Sequence, residues 1–243
     1  MEILFEPKVG AFEKTLWAAG ALAAALAVAF VVLSARARSQ EAVDPHAAGA
    51  ARYRRLAEDW VQKGKALPAV DAYGQALRLS PQPDPALISA RGDAWMLLRR
   101  FDRAQRDFER AMSLAPSQAY PVMAQAMCLA LQGRLQQAVD AASQALRLDP
   151  GMALAFFWRG FAEDKQGRLR EAEADFSAAI ARNGSSTTYL MARGATRLKL
   201  RDMPGARADL DRAVRIDPKV AGSRLMRSIR QAYGQALDAV PAG

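Results

Sequence analysis

Cysteine and histidine are almost absent from this chain of 243 residues, which contains one of each. Cys128 has no second cysteine to pair with, so an intramolecular disulfide is excluded. His46 has no other histidine or cysteine nearby, so the usual nitrogen and sulfur ligands of a zinc site are missing. The sequence also lacks a glycine-rich phosphate loop. We therefore expect neither enzymatic activity nor a resident metal or cofactor.

One long apolar segment stands apart from the rest of the chain. Thr15 to Ser34 is a run of 20 residues without a charge, and a helix of that length spans about 30 Å, the thickness of the hydrocarbon core of a bilayer. Lys14 and Arg36 flank it, and Trp17 lies near one end, where interfacial aromatic residues occur. The segment predicts a single membrane anchor after an N-terminal tail at 1–14. The alternatives are a cleaved signal peptide and a buried core helix.

More basic residues follow the apolar segment than precede it. Lys8 and Lys14 lie before it, whereas Arg36 and Arg38 follow directly and further arginines come after residue 50. This bias favours a cytoplasmic C-terminal part, with a periplasmic one as the alternative. The richness in alanine and arginine is typical of bacteria with GC-rich genomes. The predicted location is therefore the bacterial inner membrane, crossed once.

A sequence of thirteen residues recurs along most of the remaining chain. Its copies begin at Ala69, Ala104, Ala138, Ala172 and Ala206, at spacings of 35, 34, 34 and 34 residues. A fixed period of this size is typical of stacked repeat arrays. In the copy AVDAASQALRLDP, apolar residues recur at helical spacing and a proline ends the run. We therefore predict five two-helix units, in which each copy is the second helix.

A small residue recurs in the predicted first helix of every unit, at Ala57, Gly92, Ala126, Gly160 and Gly194. A small side chain at this position lets two antiparallel helices approach closely. Three units also have a glycine where the first helix should end, since glycine adopts the left-handed turn cheaply. These are Gly64, Gly133 and Gly167, and Arg99 and Arg201 replace them in the second and fifth units.

These features resemble the tetratricopeptide repeat (TPR) family, whose 34-residue pattern contains a large residue, Leu-Gly, Tyr, Ala, Phe and Pro. The second unit supplies Ile88, Gly92, Trp95, Ala104, Phe108 and Pro116. Glu163 and Arg197 depart from the pattern, because they occupy the position in the fourth and fifth units where the family has a large apolar residue. The resemblance implies an all-α, right-handed TPR solenoid, preceded by the membrane anchor and a linker at 35–49. Its predicted units are 50–83, 85–118, 119–152, 153–186 and 187–220.

The last segment, 221–243, has an apolar stripe of its own. Leu225, Ile229, Tyr233 and Leu237 follow one another at intervals of four residues. A solenoid exposes the apolar face of its last unit, so we predict that this segment is a capping helix.

The resemblance also implies a binding groove, which similar proteins build from positions 2, 5, 9, 12 and 13 of each first helix. In the middle of this chain those positions are apolar and rich in methionine and phenylalanine, and such a surface suits an apolar or amphipathic segment of another protein. The alternatives are that the C-terminal helix or a second copy of the chain fills the groove. In the second case the protein would be a homo-oligomer. The candidate groove residues are Met96, Leu97, Tyr120, Met123, Met127, Leu131, Leu154, Phe157, Phe161, Met191 and Leu198.

Basic residues outnumber acidic ones, at 34 against 25, which makes the net charge +9. Carboxylates such as Asp107 and Asp209 lie among arginines, a pattern that predicts solvated helix surfaces. No nucleic-acid-binding motif accompanies the arginines, so we expect no nucleic acid partner. The features together predict a membrane-anchored scaffold that binds another protein during assembly or maturation of a complex. The alternative is a structural accessory subunit of a larger membrane complex.

Overall fold

The computed structural model describes residues 45–238, with the side chains of 46–234. The chain divides into two compact units after Ala48, and the helical array belongs to the second. The predicted N-terminal tail, the membrane anchor, residues 35–44 and residues 239–243 lie outside the described part. The helices are α1 (Pro45–Gln62), α2 (Ala66–Leu79), α3 (Pro85–Leu97), α4 (Phe101–Leu114), α5 (Ala119–Leu131), α6 (Leu135–Leu148), α7 (Ala153–Lys165), α8 (Leu169–Arg182), α9 (Thr187–Lys199), α10 (Met203–Ile216) and α11 (Arg224–Asp238), with a 3-10 turn at Pro218–Gly222.

The helices form consecutive pairs, as the repeat period predicts. Every copy of the thirteen-residue sequence falls in the second helix of a pair, which is α2, α4, α6, α8 or α10. Each pair packs against the next along the chain. The predicted all-α solenoid of helix pairs is thus confirmed for the described residues. None of the helices there is long and apolar enough to cross a bilayer.

Local sequence signals determine where the helices begin and end. Before α3, the Asp84 carboxylate accepts hydrogen bonds from the backbone N–H groups of Ala86 (2.9 Å) and Leu87 (3.2 Å), and Pro85 opens the helix. An aspartate cap followed by proline is favourable because the first N–H groups of a helix have no partner within it. Helix α1 also begins at a proline, Pro45, and so extends into the segment that was predicted to be a linker.

The small residue in each first helix marks a close approach within the pair. A Cβ added to Gly92 would lie 2.6 Å from the ring of Phe108, which is fully buried on α4. Ala57 and Ala126, at the same repeat position, are also fully buried. The prediction that small side chains let the paired helices approach closely is therefore confirmed.

The core extends along the array as a series of adjoining clusters. One cluster joins Ala126, Leu129 and Ala138 of the third pair to Ala162 of the fourth. Another joins Phe157 and Phe176 of the fourth pair to Leu190 of the fifth. The main helix contacts of the described residues lie within pairs and between successive pairs, so the array is stabilised by nearest-neighbour packing, as in other repeat proteins.

Helix α11 covers the last pair with a face that keeps Ile229 and Tyr233 of the predicted stripe but has Met226 in place of Leu225. Met226 and Ile229 are 3% and 5% exposed and pack with Leu198 and Leu210, whereas Leu225 is 43% exposed. Residues four apart drift by about 40° per step around a helix of 3.6 residues per turn, so a stripe at strict intervals of four winds off the contact face. Spacings of three and four residues place Met226, Ile229 and Tyr233 on the same side of the helix. The side chain of Leu237 lies outside the described residues.

Candidate protein-binding surface

The eleven candidate groove residues divide into three groups by exposure. Met96, Met123, Phe157 and Leu198 are buried, at 8%, 2%, 9% and 1%. Met127, Phe161 and Met191 are half-buried. Leu97, Tyr120, Leu131 and Leu154 are exposed, at 59%, 41%, 44% and 43%.

The buried group belongs to the core of the array. Met123 clusters with Ala145, on the second helix of its own pair, and with Ala155 on α7. The ring of Phe157 stacks on that of Tyr189, on α9, with 5.1 Å between the ring centroids. Consecutive first helices also contact one another, as α5 does α7, and this contact covers the side chains between them. These positions stabilise the array and are not available to a partner.

Of the remaining residues, Met191 on α9 packs against two core clusters, and the other six lie on α3, α5 and α7. Leu154 and Phe161 are seven residues apart on α7, and Tyr120, Met127 and Leu131 are at intervals of seven and four on α5. Such intervals place side chains on the same side of a helix. We name the set formed by Leu97, Tyr120, Met127, Leu131, Leu154 and Phe161 the apolar face.

A tyrosine–aspartate contact joins the first helices α3 and α5 through a member of the apolar face. The Tyr120 hydroxyl donates a hydrogen bond of 2.6 Å to Oδ2 of Asp93. Burial raises the pKa of Asp93 to about 6, and the hydrogen bond from Tyr120 only partly opposes this effect. The other carboxylate oxygen, Oδ1, is buried and has no hydrogen-bond partner among the described residues. The contact holds the tyrosine ring in place while leaving it exposed.

A second polar contact joins the first helices of the last two pairs. The Thr196 hydroxyl donates to Oδ1 of Asp164 at 2.9 Å, and the Lys199 ammonium donates to Oδ2. Asp164 lies on α7, on the turn that follows Phe161. Polar contacts therefore join α3 to α5, through Tyr120 of the apolar face itself, and α7 to α9.

Buried ion pairs are the feature that the sequence analysis missed. In three pairs an arginine on the first helix binds an aspartate sixteen residues later, through two nitrogens. The shorter contacts are 2.6 Å long, and the aspartates are 4–6% exposed. The interpretation of Asp107 and Asp209 as solvated surface residues was wrong. The pairs are Arg91–Asp107, Arg159–Asp175 and Arg193–Asp209.

The sequence contained a signal for these pairs. Where a unit lacks the arginine, as at Leu56 and Gln125, the residue sixteen positions later is alanine, Ala72 or Ala141. The two positions change together because a buried carboxylate without a cationic partner is costly. Two of the arginines also bind a serine of the preceding pair, as Arg193 binds Ser177 at 3.0 Å, so they help to join successive units.

The two charged departures from the repeat pattern have different surroundings. Arg197 is paired with the carboxylates of Glu173 at 2.7 Å and Asp209 at 2.9 Å. Glu163 is 8% exposed, and its Oε2 has no hydrogen-bond partner among the described residues. Burial, with a smaller effect from the charge of Asp175, raises the pKa of Glu163 to about 7. Arg197 is thus stabilised where it lies, whereas Glu163 is a weak point of the fourth pair.

No cluster of metal-ligating side chains occurs among the described residues. Cys128 is fully buried on α5, and burial raises the pKa of its thiol to about 11. A thiol with such a pKa is protonated at neutral pH and is a poor nucleophile.

Comparison with known proteins gives the same picture of the fold. A thermophilic TPR protein of Thermus thermophilus is 22% identical and aligns over 77% of this chain and 98% of its own, with a TM-score of 0.64. MamA from Desulfovibrio magneticus RS-1 is 18% identical over 70% of this chain and 96% of its own, with a TM-score of 0.57. YrrB, described as a TPR protein with an unusual peptide-binding site, is 19% identical over 74% and 90%, with a TM-score of 0.52. No curated protein matches the sequence.

The model of the tetratricopeptide repeat family matches residues 89–153 and 159–221, which together make up more than half of the chain. The predicted first unit, 50–83, lies outside the matched ranges, although it forms the helix pair α1 and α2. TPR domains bind protein partners, and the array exposes an apolar face on its first helices. The chain belongs to the tetratricopeptide repeat family.

Proposed function

We propose that the array is a scaffold that binds an apolar or amphipathic segment of another protein along the apolar face. The observation that carries the proposal is the exposure of four large apolar side chains, at 41–59%, on three successive first helices. Large apolar side chains exposed on neighbouring helices of one array favour a partner-binding role. The half-buried Met127 adds a flexible, polarizable surface that adapts to partners of different shape.

The proposed scaffold is anchored at the bacterial inner membrane through Thr15–Ser34. The support is the uncharged length of that segment and its basic and aromatic flanks. A tethered array would keep its client close to the membrane while a complex assembles or matures. The basic residues that follow the segment favour the cytoplasmic side for the array.

Loss of binding without loss of folding is the test of the apolar face. The double variant Leu131→Glu/Leu154→Glu puts two charges on exposed positions and should abolish client capture while circular dichroism and the unfolding temperature stay unchanged. The matched control is Leu114→Glu/Leu148→Glu, whose side chains are 44% and 40% exposed at the ends of second helices. Proteins retained by the tagged full-length chain in mild detergent would be quantified by mass spectrometry. Equal losses in both variants would refute the proposal.

The same purification separates the scaffold from an accessory subunit. A scaffold should retain a variable, substoichiometric set of proteins that depends on the apolar face. A fixed set of membrane-complex subunits in constant ratio, retained even by the Leu131→Glu/Leu154→Glu variant, would make the chain a structural subunit.

Thiol labelling tests the proposed orientation. The variant Ser39→Cys introduces a thiol between the apolar segment and the array, and Cys128 contributes little background because it is fully buried. In intact cells, an impermeant thiol reagent should leave Ser39→Cys unlabelled and should label it after the membrane is permeabilised. Labelling in intact cells would place the array on the periplasmic side.

A further inference from the structure

A concavity of about 340 Å³ lies at the turn between α3 and α4. We name it the arginine pocket, because four arginines line it against a single aspartate. The volume is at the lower end of the range in which proteins bind small molecules, about 300–1,000 Å³. Its lining residues are Arg99, Arg100, Phe101, Asp102, Arg103, Arg106 and Gln132.

The four arginines of the pocket make no ion pair with any side chain that the structure describes. The corresponding turns of the next two pairs are different. Arg134, which occupies the place of Arg100 in the third pair, donates to the side chain of Gln137, and Arg168 in the fourth donates to Gln136. The turn arginines of the third and fourth pairs thus have side-chain partners, whereas in this pocket the arginine side-chain hydrogen bond within the described residues is that of Arg106 to the backbone oxygen of Asp102, at 3.3 Å.

Two of the pocket arginines are held by aromatic rings. The guanidinium of Arg103 lies over the ring of Trp95, 4.5 Å from its centroid, and that of Arg99 lies 5.8 Å from the centroid of Phe101. Stacking engages the flat face of a guanidinium and leaves its in-plane N–H donors free. Both side chains are therefore partly ordered before any ligand arrives.

The backbone of Arg99 is the third sign that this side chain is used. Its φ is +55°, in the left-handed region, where Gly64, Gly133 and Gly167 of the other pairs have φ of +69°, +79° and +81°. A residue with a Cβ is strained in this region, and strained backbone positions cluster at functional sites. Arg201 has the same backbone, with φ of +66°, but does not line the arginine pocket.

We propose that the arginine pocket binds a small ligand with phosphate groups and two or more negative charges. The excess of three positive charges in the lining calls for a multivalent anion. The arginines come from the interhelical turn and from the start of α4, so several guanidinium groups line one ligand-sized space. This arrangement suits the tetrahedral oxygens of a phosphate better than a planar carboxylate. A free diphosphate and a phospholipid headgroup share this chemistry.

Calorimetric titration of the full chain with three anions tests the ligand class. Inorganic pyrophosphate should bind, and citrate, a tricarboxylate of similar charge, should bind about tenfold more weakly. Glycerol 3-phosphate represents the lipid headgroup, so equal affinity for it would assign the site to headgroups, and weaker binding would assign it to free diphosphates. Equal affinity for citrate, or no binding of either phosphate, would overturn the proposal.

Two glycine variants test the location of the site. Arg99→Gly and Arg201→Gly each remove one charge and one strained residue, so both should raise the unfolding temperature. Only Arg99→Gly should weaken pyrophosphate binding, by about tenfold, the loss expected for one charged contact. Neither change should impair folding, so weaker or unchanged pyrophosphate binding in each variant can be attributed to the position of the lost charge. Equal weakening in the two variants would show general attraction to a basic protein and would overturn the assignment.

Discussion

The second and third repeats pack their helices with the same backbone arrangement but with different chemistry. In the second, Gly92 makes room for the ring of Phe108, and Arg91 forms a buried ion pair with Asp107. In the third, Ala126 packs in one cluster with Ala142, both fully buried, and Gln125 and Ala141 replace the ion pair.

The comparison shows that the residue at one repeat position limits which residues are favourable at another. The third repeat depends on many small apolar contacts, each of which can be exchanged at little cost. The second repeat depends on residues that are favourable only together, since the aspartate needs the arginine and the large ring needs the glycine. Single changes should therefore harm the second repeat more than the third.

Removal of Asp107 should have the largest effect. Asp107→Ala leaves the Arg91 guanidinium half-buried without its partner and should lower the free energy of unfolding by about 3 kcal/mol. The double variant Arg91→Gln/Asp107→Ala copies the residues of the third repeat and should recover most of that loss. Urea unfolding followed by circular dichroism measures both. A double variant as unstable as the single one would show that the ion pair itself, and not the avoidance of an unpaired charge, stabilises the repeat.

A methyl group at Gly92 should have the next largest effect. Its Cβ would lie 2.6 Å from the Phe108 ring, so Gly92→Ala should lower the free energy of unfolding by about 2 kcal/mol through overpacking. Gly74, on α2, has no atom within 4 Å of the corresponding position. Gly74→Ala should instead stabilise the protein by about 1 kcal/mol, the difference in helix propensity. If both variants were equally stable, the helix pair would tolerate separation at Gly92.

Glu163 extends the comparison to the fourth repeat, since the third has the buried Leu129 at the same position. Burial raises the pKa of Glu163 from its ordinary 4.5 to about 7. Below pH 4.5 the carboxyl is neutral in both states. The folded state loses stability as the pH rises from about 4.5 to about 7, because only the unfolded state ionises there, and the loss is constant above that range. Glu163→Leu should therefore stabilise the protein by about 3 kcal/mol more at pH 8 than at pH 4. A difference that does not change with pH would mean that the carboxylate ionises freely in the folded protein.

Much of the fold could be predicted from the sequence. The 34-residue period and the prolines that follow the second helices predicted the helix pairs, because local sequence limits where a helix can begin and end. The small residues at Gly92 and its equivalents predicted the close approach within each pair. Membership of the TPR family followed from the same positions.

Residues that depend on a second helix were predicted less well. Asp107 was interpreted as a surface residue because its neighbours on the same helix are charged. Its partner, Arg91, lies sixteen residues earlier on another helix. Met123 and Phe157 were candidate groove residues because their repeat position suggested exposure, yet contacts with the adjoining pair cover both. The exposure of Leu131 and Leu154 fits that prediction, and their binding of a partner stays a prediction.

Periodicity, turn residues and small side chains determined the number of helix pairs, their order and their closest contacts, because these depend on interactions along a short stretch of chain. Only the tertiary structure decided which charges are buried, which apolar side chains face solvent and which arginines lack partners. Those properties depend on the distance between residues of successive helices, since a side chain becomes buried or paired only when a neighbouring helix supplies its surroundings.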